Sequence, residues 1–258
     1  MPAVCRLKSN QRKGGHLGFE SFIFWSDTHG DQVCRDTLKA IEKHIADFKP
    51  KHRIFGGDGF DFRALRKGVS NAETDAYDDL VSDWNCGMMM IHRLRPQVFL
   101  AGNHDHRLWR IAEEAANGVV RQYAHDGIKR IETELKKIKC RLYPYHYELG
   151  VHRIRKLAFV HGFTANMASV KQHAEIFADP GGGVCMGHLH RIEAINAIRH
   201  GGAKGYSGGC CCDIEKMTYA QHRTATTRWE RGWLYGVIGK KSFKVWQAEK
   251  IEGTWLHP

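Results

Sequence analysis

The stretch Ser21-Phe-Ile-Phe-Trp25, followed at once by Ser26-Asp27-Thr28-His29-Gly30, decides how the rest of the chain is read. Aromatic and β-branched residues in an unbroken run suit a strand covered on both faces. The run stops at a turn that carries a carboxylate and an imidazole. The same event recurs downstream. Arg53-Ile-Phe55 is a short strand that runs into Gly56-Gly-Asp58-Gly-Phe-Asp61, and Gln97-Val-Phe-Leu100 runs into Ala101-Gly-Asn103-His104-Asp105. Lys156-Leu-Ala-Phe-Val160 ends in His161-Gly162, and Val184-Cys-Met186 ends in Gly187-His188-Leu189-His190. Open α/β sheets bind ligands at the carboxyl ends of their strands, so this series of polar endings predicts a site there.

Between the strands the spacing turns helical. Leu38, Ile41, Ile45 and Phe48 mark a helix from Asp36 to Phe48, which Pro50 stops. Asn71 to Arg93 carries acids early and bases late, as a helix dipole prefers. Ile111 to Lys139 is long and charged and reads as two helices with a break near Gly118 or Gly127, a helical insertion or cap over about residues 111–139. Ile192 to Ile198, Trp233 to Ile238 and Phe243 to Ala248 read as further strands of a second sheet, spanning about residues 192–250. The alternation of strand and helix predicts an α/β fold. A chain of 258 residues suits a single domain, 1–258, with a core of its own.

Composition narrows the function classes. A formal net charge of +11, with 17 histidines uncounted, favours a polyanionic partner, nucleic acid ahead of an anionic membrane surface. A solvated lysine face is the competing reading. No run of about 18 apolar residues appears and no leader pattern is visible, so the expectation is a cytoplasmic protein that makes no use of a membrane. Of the eight cysteines, none forms a C-x-x-C pair, and Cys210, Cys211 and Cys212 stand together. Reduced thiols are expected, with a zinc or redox site at Cys210 to Cys212 as the alternative. Composition and patterning carry no signal for an oligomeric state.

The strand ends supply Asp27, His29, Asp58, Asn103, His161, His188 and His190. Carboxylate, imidazole and amide oxygen together suit borderline divalent ions such as manganese, iron, zinc or cobalt. With no cysteine among them, a structural zinc cage is not expected. Seven donors fill two incomplete shells if one carboxylate bridges, leaving positions for water and substrate. A His-x-His pair alone carries little weight in a chain with 17 histidines, and a second pair stands at His104 and His106. The conjunction of five blocks is what specifies a site.

These blocks resemble the pattern of the calcineurin-like metallophosphoesterase superfamily: D-x-H, G-D, G-N-H-D or G-N-H-E, a lone H, and G-H-x-H. Here they are Asp27-Thr28-His29, Gly57-Asp58, Gly102-Asn103-His104-Asp105, His161 and Gly187-His188-Leu189-His190, in order. The resemblance implies a four-layer α/β/β/α sandwich. It implies two divalent metal ions, manganese first, with iron, zinc, cobalt or nickel as further choices. Asp27, His29, Asp58 and His190 would hold one ion, and Asp58, Asn103, His161 and His188 the other. By the same resemblance the enzyme is a hydrolase that cleaves phosphoester bonds with a metal-bridging hydroxide. His104 would stabilise the transition state and protonate the departing oxygen, and Asp61 would orient His104.

Protein phosphatases of that superfamily carry G-D-x-V-D-R-G. Here the stretch is Gly57-Asp58-Gly59-Phe60-Asp61-Phe62-Arg63, with Phe62 where the phosphate-holding arginine would stand, and Asp105 replaces a glutamate. Both departures argue against a protein phosphatase. The expected activity is therefore a phosphodiesterase, favoured as a nuclease acting on nucleic acid. A phosphomonoesterase or nucleotide phosphatase is the alternative, and a non-catalytic scaffold of the same fold the third reading. The expected basic rim comprises Arg63, Arg66, Lys67, Arg107 and Arg110, then Lys129, Arg130, Lys136, Lys137, Lys139 and Arg141, with Trp109 and Tyr123 interleaved. Ser207-Gly-Gly-Cys-Cys-Cys-Asp213 with Tyr219, Trp229 and Trp233 loosely resembles the tail of small stand-alone phosphoesterases, and Trp229, Trp233 and Trp246 are read as packing residues.

Overall fold

Glu20–Trp25 forms strand β1, and its side chains sort by parity in the computed structural model. Phe22 and Phe24 point to one core, Ile23 and Trp25 to another, and all four are buried. A strand buried on both faces must lie inside a sheet with a layer on either side. The structure describes residues 18–66, 80–198, 201–217 and 224–256. Most of the basic N-terminus, the stretch Asn71 to Asp79 of the second expected helix, Lys67 and Tyr219 lie outside them.

After β1 come α1 (Arg35–Phe48), β2 (His52–Phe55), α2 (Leu80–Leu94), β3 (Val98–Leu100), α3 (His106–Glu114), α4 (Gly118–Lys137) and β4 (Arg141–Tyr143). The second half supplies β5 (His152–Ile154), β6 (Leu157–Val160), α5 (Ser169–Phe177), β7 (Gly182–Met186), β8 (Ile192–Ala197) and β9 (Ala203–Gly208). It closes with β10 (Gly232–Ile238), β11 (Phe243–Ile251) and β12 (Thr254–Leu256). A seven-stranded sheet runs β12-β11-β10-β1-β2-β3-β4 and a five-stranded sheet runs β5-β6-β7-β9-β8. β1 to β4 are mutually parallel, as are β6, β7 and β9.

The layers follow from the cores. Phe22, Phe24, Ile54 and Leu100 of the first sheet meet Leu157, Phe159 and Cys185 of the second. Phe159 sits under Phe22 and Phe24, with ring centroids 5.2 and 5.9 Å apart. Burying such a ring contributes about 1.5–3 kcal/mol. On the outer face of the first sheet, Ile23, Trp25, Phe55 and Phe99 pack on Leu38 and Ile41 of α1, Trp84 and Ile91 of α2, and Ile131 and Leu135 of α4. On the far face of the second sheet, Val160, Val184 and Met186 pack on Val170, Ala174 and Phe177 of α5. The order is helices, sheet, sheet, helix: the α/β/β/α sandwich.

Two details differ from the sequence reading. β10 and β11 belong to the first sheet, not the second, because β10 pairs antiparallel with β1, Phe22 opposite Gly236. Only β8, with β9, extends the second sheet. The stretch read as an insertion over 111–139 packs down onto the first sheet, as the crossover from β3 to the parallel β4. Its break falls before Gly118, where the Asn117 side chain accepts from the N–H groups of Val119 and Val120 and starts α4. Gly127 lies inside α4 against Trp84 and Leu108. Among the described residues no helix is long and apolar enough to cross a membrane.

Candidate metal centre

The loops that follow β1, β2, β3, β6 and β7 all open at one edge of the sandwich. They bring together Asp27, His29, Asp58, Asn103, His104, His161, His188 and His190, with Asp61 beside them. Five of these, Asp27, His29, Asp58, His188 and His190, have positive φ between 50° and 70°. Left-handed backbone is uncommon outside glycine and persists where the surroundings over-determine it, often at functional sites. Here it turns each strand end sharply so that the side chain faces its neighbours. The glycines beside them allow the close approach. A Cβ on Gly102 would stand 2.0 Å from Asp58 Oδ1, and one on Gly187 would stand 2.4 Å from Ser26 Oγ.

Asp58 is central. Its Oδ1 accepts from the backbone N–H of His104 at 2.8 Å. Its Oδ2 lies 3.4 Å from His161 Nε2 and 3.9 Å from His29 Nε2. His161 Nε2 also lies 3.1 Å from Asn103 Oδ1. On the other side, His190 Nε2 lies 3.3 Å from Asp27 Oδ1 and 3.1 Å from His29 Nε2. The backbone N–H of His188 donates to Asp27 Oδ2 at 3.0 Å. Asp27, His29 and His190 form one group of donors within 4.8 Å of one another, and Asp58, His161 and His188 form another.

The hydrogen bonds fix which atoms are lone pairs. His161 Nδ1 donates to the Gly56 carbonyl at 2.7 Å, so in the neutral ring Nε2 is an acceptor facing two oxygens. His29 Nδ1 donates to Asp61 Oδ1 at 3.0 Å, so its Nε2 is an acceptor facing His190 Nε2. Acceptors gathered on acceptors call for a cation between them, and carboxylate, amide and imidazole donors suit a borderline divalent ion. The residues therefore fit the metal centre expected from the sequence. Without a metal ion the carboxylates draw protons instead. Burial would push His161 and His190 down, but the charges and hydrogen bonds of Asp58 and Asp27 respectively raise both to about 9. Burial would raise Asp27, but His190 brings it to about 2. His188, whose backbone N–H rather than its ring meets the Asp27 carboxylate, is pushed by burial and by His161 down to about 3.

Asp61 does more than the sequence reading assigned. Its Oδ1 accepts from His104 Nδ1 at 2.5 Å as well as from His29 Nδ1. One carboxylate thus sets the tautomer of two imidazoles. Burial acts to raise its pKa, but the hydrogen bonds from His104 and His29 hold it well below the usual carboxylate range. Asp83 of α2 supports it from behind, accepting from the backbone N–H groups of Asp61 and Phe62 at 3.0 and 2.6 Å. Asp105 supports Asp58 in the same way, accepting from the N–H groups of Asp58, Gly59, Phe60 and Gly102 at 2.8 to 3.0 Å.

A cavity of about 280 Å³ opens over the cluster, lined by Asp58, Asp61, Arg63, Arg66, Asn103, His104, Arg107, His188, His190 and Trp229. Arg63 is tied to Asp31 by two bonds of 2.8 Å, and Arg107 reaches His104 Nε2 at 3.3 Å. Phe62 turns away and stacks on Phe60, the rings 5.2 Å apart and 6° from parallel. Of the expected basic rim, Arg63, Arg66 and Arg107 face this cavity. Arg110 instead donates to the Leu65 carbonyl at 2.8 Å. Arg130 lies over Trp84, Arg141 over Tyr143, and Lys137 pairs with Glu134. Trp109 and Tyr123 line other hollows. The aromatic residue at the cavity is Trp229, read from the sequence as packing, whose ring lies 4.3 Å from that of His190. The bond from Glu230 N–H to the His190 carbonyl at 2.7 Å brings it there.

No protein-family model and no curated protein matches the chain. Among solved structures it is similar to Vacuolar Protein Sorting 29 from Cryptosporidium parvum, at 10% identity over 92% of this chain and 95% of that one, with a TM-score of 0.45. It is similar to YfcE, a phosphoesterase from E. coli, at 15% identity over 86% and 96%, with a TM-score of 0.39. It is also similar to the nuclease MPE of Pseudomonas putida, at 11% identity over 72% and 73%, with a TM-score of 0.36. Likenesses this loose leave the chemistry to be read from the side chains themselves.

Proposed function

We propose that the protein is a dinuclear metal-dependent phosphoesterase, acting on phosphodiesters of nucleic acid. The observation that carries this reading is Asp58 Oδ2, which faces His161 on one side and His29 on the other and so joins two donor groups. Asp27, His29, Asp58 and His190 would hold one ion, and Asp58, Asn103, His161 and His188 the second. When bound, divalent ions neutralise phosphate oxygens and lower the pKa of water.

The chain's own residues account for the remainder. Arg63, Arg66 and Arg107 bring positive charge to the cavity wall and draw a phosphate in. His104, held by Asp61 through Nδ1, leaves Nε2 toward the cavity, where it would carry the proton given to the departing oxygen. With Phe62 buried at the position of the phosphate-holding arginine, a protein phosphatase is disfavoured. Trp229 offers a π face beside the cluster on which a base could stack, and the net charge of +11 favours a polyanion.

The test is cleavage of end-labelled single- and double-stranded oligonucleotides by manganese-loaded protein, with Asp58→Asn alongside and manganese binding followed by calorimetry. Cleavage and binding in the wild type, both lost in Asp58→Asn, is the expected result. Cleavage that survives in Asp58→Asn overturns the site. Manganese binding without cleavage moves the substrate to small phosphomonoesters.

A further inference from the structure

A second group of donors lies directly behind His190. Cys210 and Cys212 form isolated bridges with Arg231 and Val33 on either side of a bend at Cys211, and the three side chains divide between two clusters. Cys211 points to the helix-side core, its Sγ 3.7 Å from the Gly232 carbonyl. Cys210 and Cys212 face the other way and cluster with Met217. All three are fully buried, and Cys212 Sγ lies 3.5 Å from Met217 Sδ. One ring nitrogen of His190 and the two sulfurs of Cys210 and Cys212 lie within 4.8 Å of one another. His190 turns Nε2 to Asp27 and His29, and its Nδ1 is buried with no hydrogen-bond partner.

Backbone bonds hold this arrangement in place. Cys210 N–H donates to the Glu230 carbonyl at 2.9 Å, Cys211 N–H to that of Ser26 at 3.1 Å, and Asp213 N–H to that of Gln32 at 2.6 Å. Trp229 and Ile214 pack against the cluster, and Trp229 also lines the main cavity. All seven described cysteines are free thiols.

We propose that Cys210, Cys212 and Met217, with Nδ1 of His190, form a second, soft-metal site that shares His190 with the main centre and takes a closed-shell ion of the Cu⁺ or Cd²⁺ class. Two thiolates, a thioether and an imidazole nitrogen form a donor set that hard ions such as manganese and magnesium avoid and soft ions prefer. On binding, two sulfur–metal bonds form, the two thiol protons pass to water, and nothing is oxidised. With the Nδ1 lone pair engaged, the proton of the neutral ring sits on Nε2, beside Asp27. Occupancy of the sulfur site and use of His190 Nε2 at the main centre are then mutually exclusive, and a soft ion acts as an antagonist of that centre.

The test is a Cd²⁺ titration of chelator-stripped full-length protein, read by the ultraviolet thiolate-to-cadmium charge-transfer band. Wild type is expected to bind one Cd²⁺ with such a band. Cys210→Ser and Cys212→Ser should each weaken binding about 10-fold or more, while Asp58→Asn, which damages only the main centre, should keep the band. Should the serine variants fail to fold, Met217→Leu conserves volume and should lower Cu⁺ affinity against a competing chelator. No band in folded wild type overturns the site. So does a band of unchanged size and affinity in the serine variants, or unchanged Cu⁺ affinity in Met217→Leu.

Discussion

The backbone N–H of Asp58 donates to the carboxylate of Asp105 at 2.8 Å, and that bond locks the second site block to the third. Asp105 accepts three further N–H groups, from Gly59, Phe60 and Gly102. Burial and the charge of Asp58 push its pKa up to about 7 against the pull of those donors. Asp105→Ala leaves the donors buried and unpaired, at about 1–3 kcal/mol for each that finds no new partner. The expected loss in urea unfolding is about 3–5 kcal/mol, accompanied by weaker manganese binding. A loss within about 0.5 kcal/mol would mean that the loop does not depend on this carboxylate.

His104 and His29 share Asp61, yet the proposed function gives them different roles. His104→Ala should leave manganese affinity nearly unchanged and lower kcat by about 10²-fold or more, the scale of a lost proton donor. Asp61→Asn should do both kinds of damage, because it releases the ring of His29 as well, and second-layer partners of metal ligands are worth about 10–100-fold in affinity or activity. Calorimetry with manganese separates the two variants. Equal activity in His104→Ala would remove that residue from the chemistry.

The five blocks were legible because each is local. A strand, a glycine and a polar pair fall within a few residues, and the strand's direction alone carries the pair to the sheet's carboxyl edge. Strand partnership is not local. β10 is buried on both faces whichever sheet holds it, and only its pairing with β1 across more than two hundred positions decides the matter. The supports of the site were equally hidden. Asp83 is one acid within a helix whose buried face is otherwise apolar, and its bonds to Asp61 and Phe62 depend on how that helix docks. Trp229 reaches the cavity through a backbone bond to His190, which no spacing announces.

Arg66 tests the polyanion reading. It lines the cavity together with Asp58, Asn103, His188 and His190 and belongs to no proposed ligand set. For an oligonucleotide substrate, Arg66→Gln should raise KM and lower the slope of log affinity against log salt by about one. For a small phosphomonoester the salt response should be shallow in both proteins. Binding measured by fluorescence anisotropy across a salt series decides between them, and a slope unchanged by the substitution would take Arg66 out of the phosphate path.

His152 lies away from the site and reports on acid stability. Its Nδ1 is 3.0 Å from Tyr143 OH, and burial, followed by the charges of His52 and Arg141, pushes its pKa from 6.5 down to about 4. Between those two values the unfolded chain binds a proton at this position and the folded chain does not, so lowering the pH favours unfolding. The stabilising contribution of the neutral ring is therefore complete above about pH 6.5 and lost progressively toward pH 4. Carboxylates titrate over the lower part of that window, so the informative quantity is a difference between proteins. His152→Gln removes the titration and should lose less stability than wild type between pH 7 and pH 4.5 in urea unfolding. Identical losses would mean that His152 titrates alike in the folded and unfolded chains.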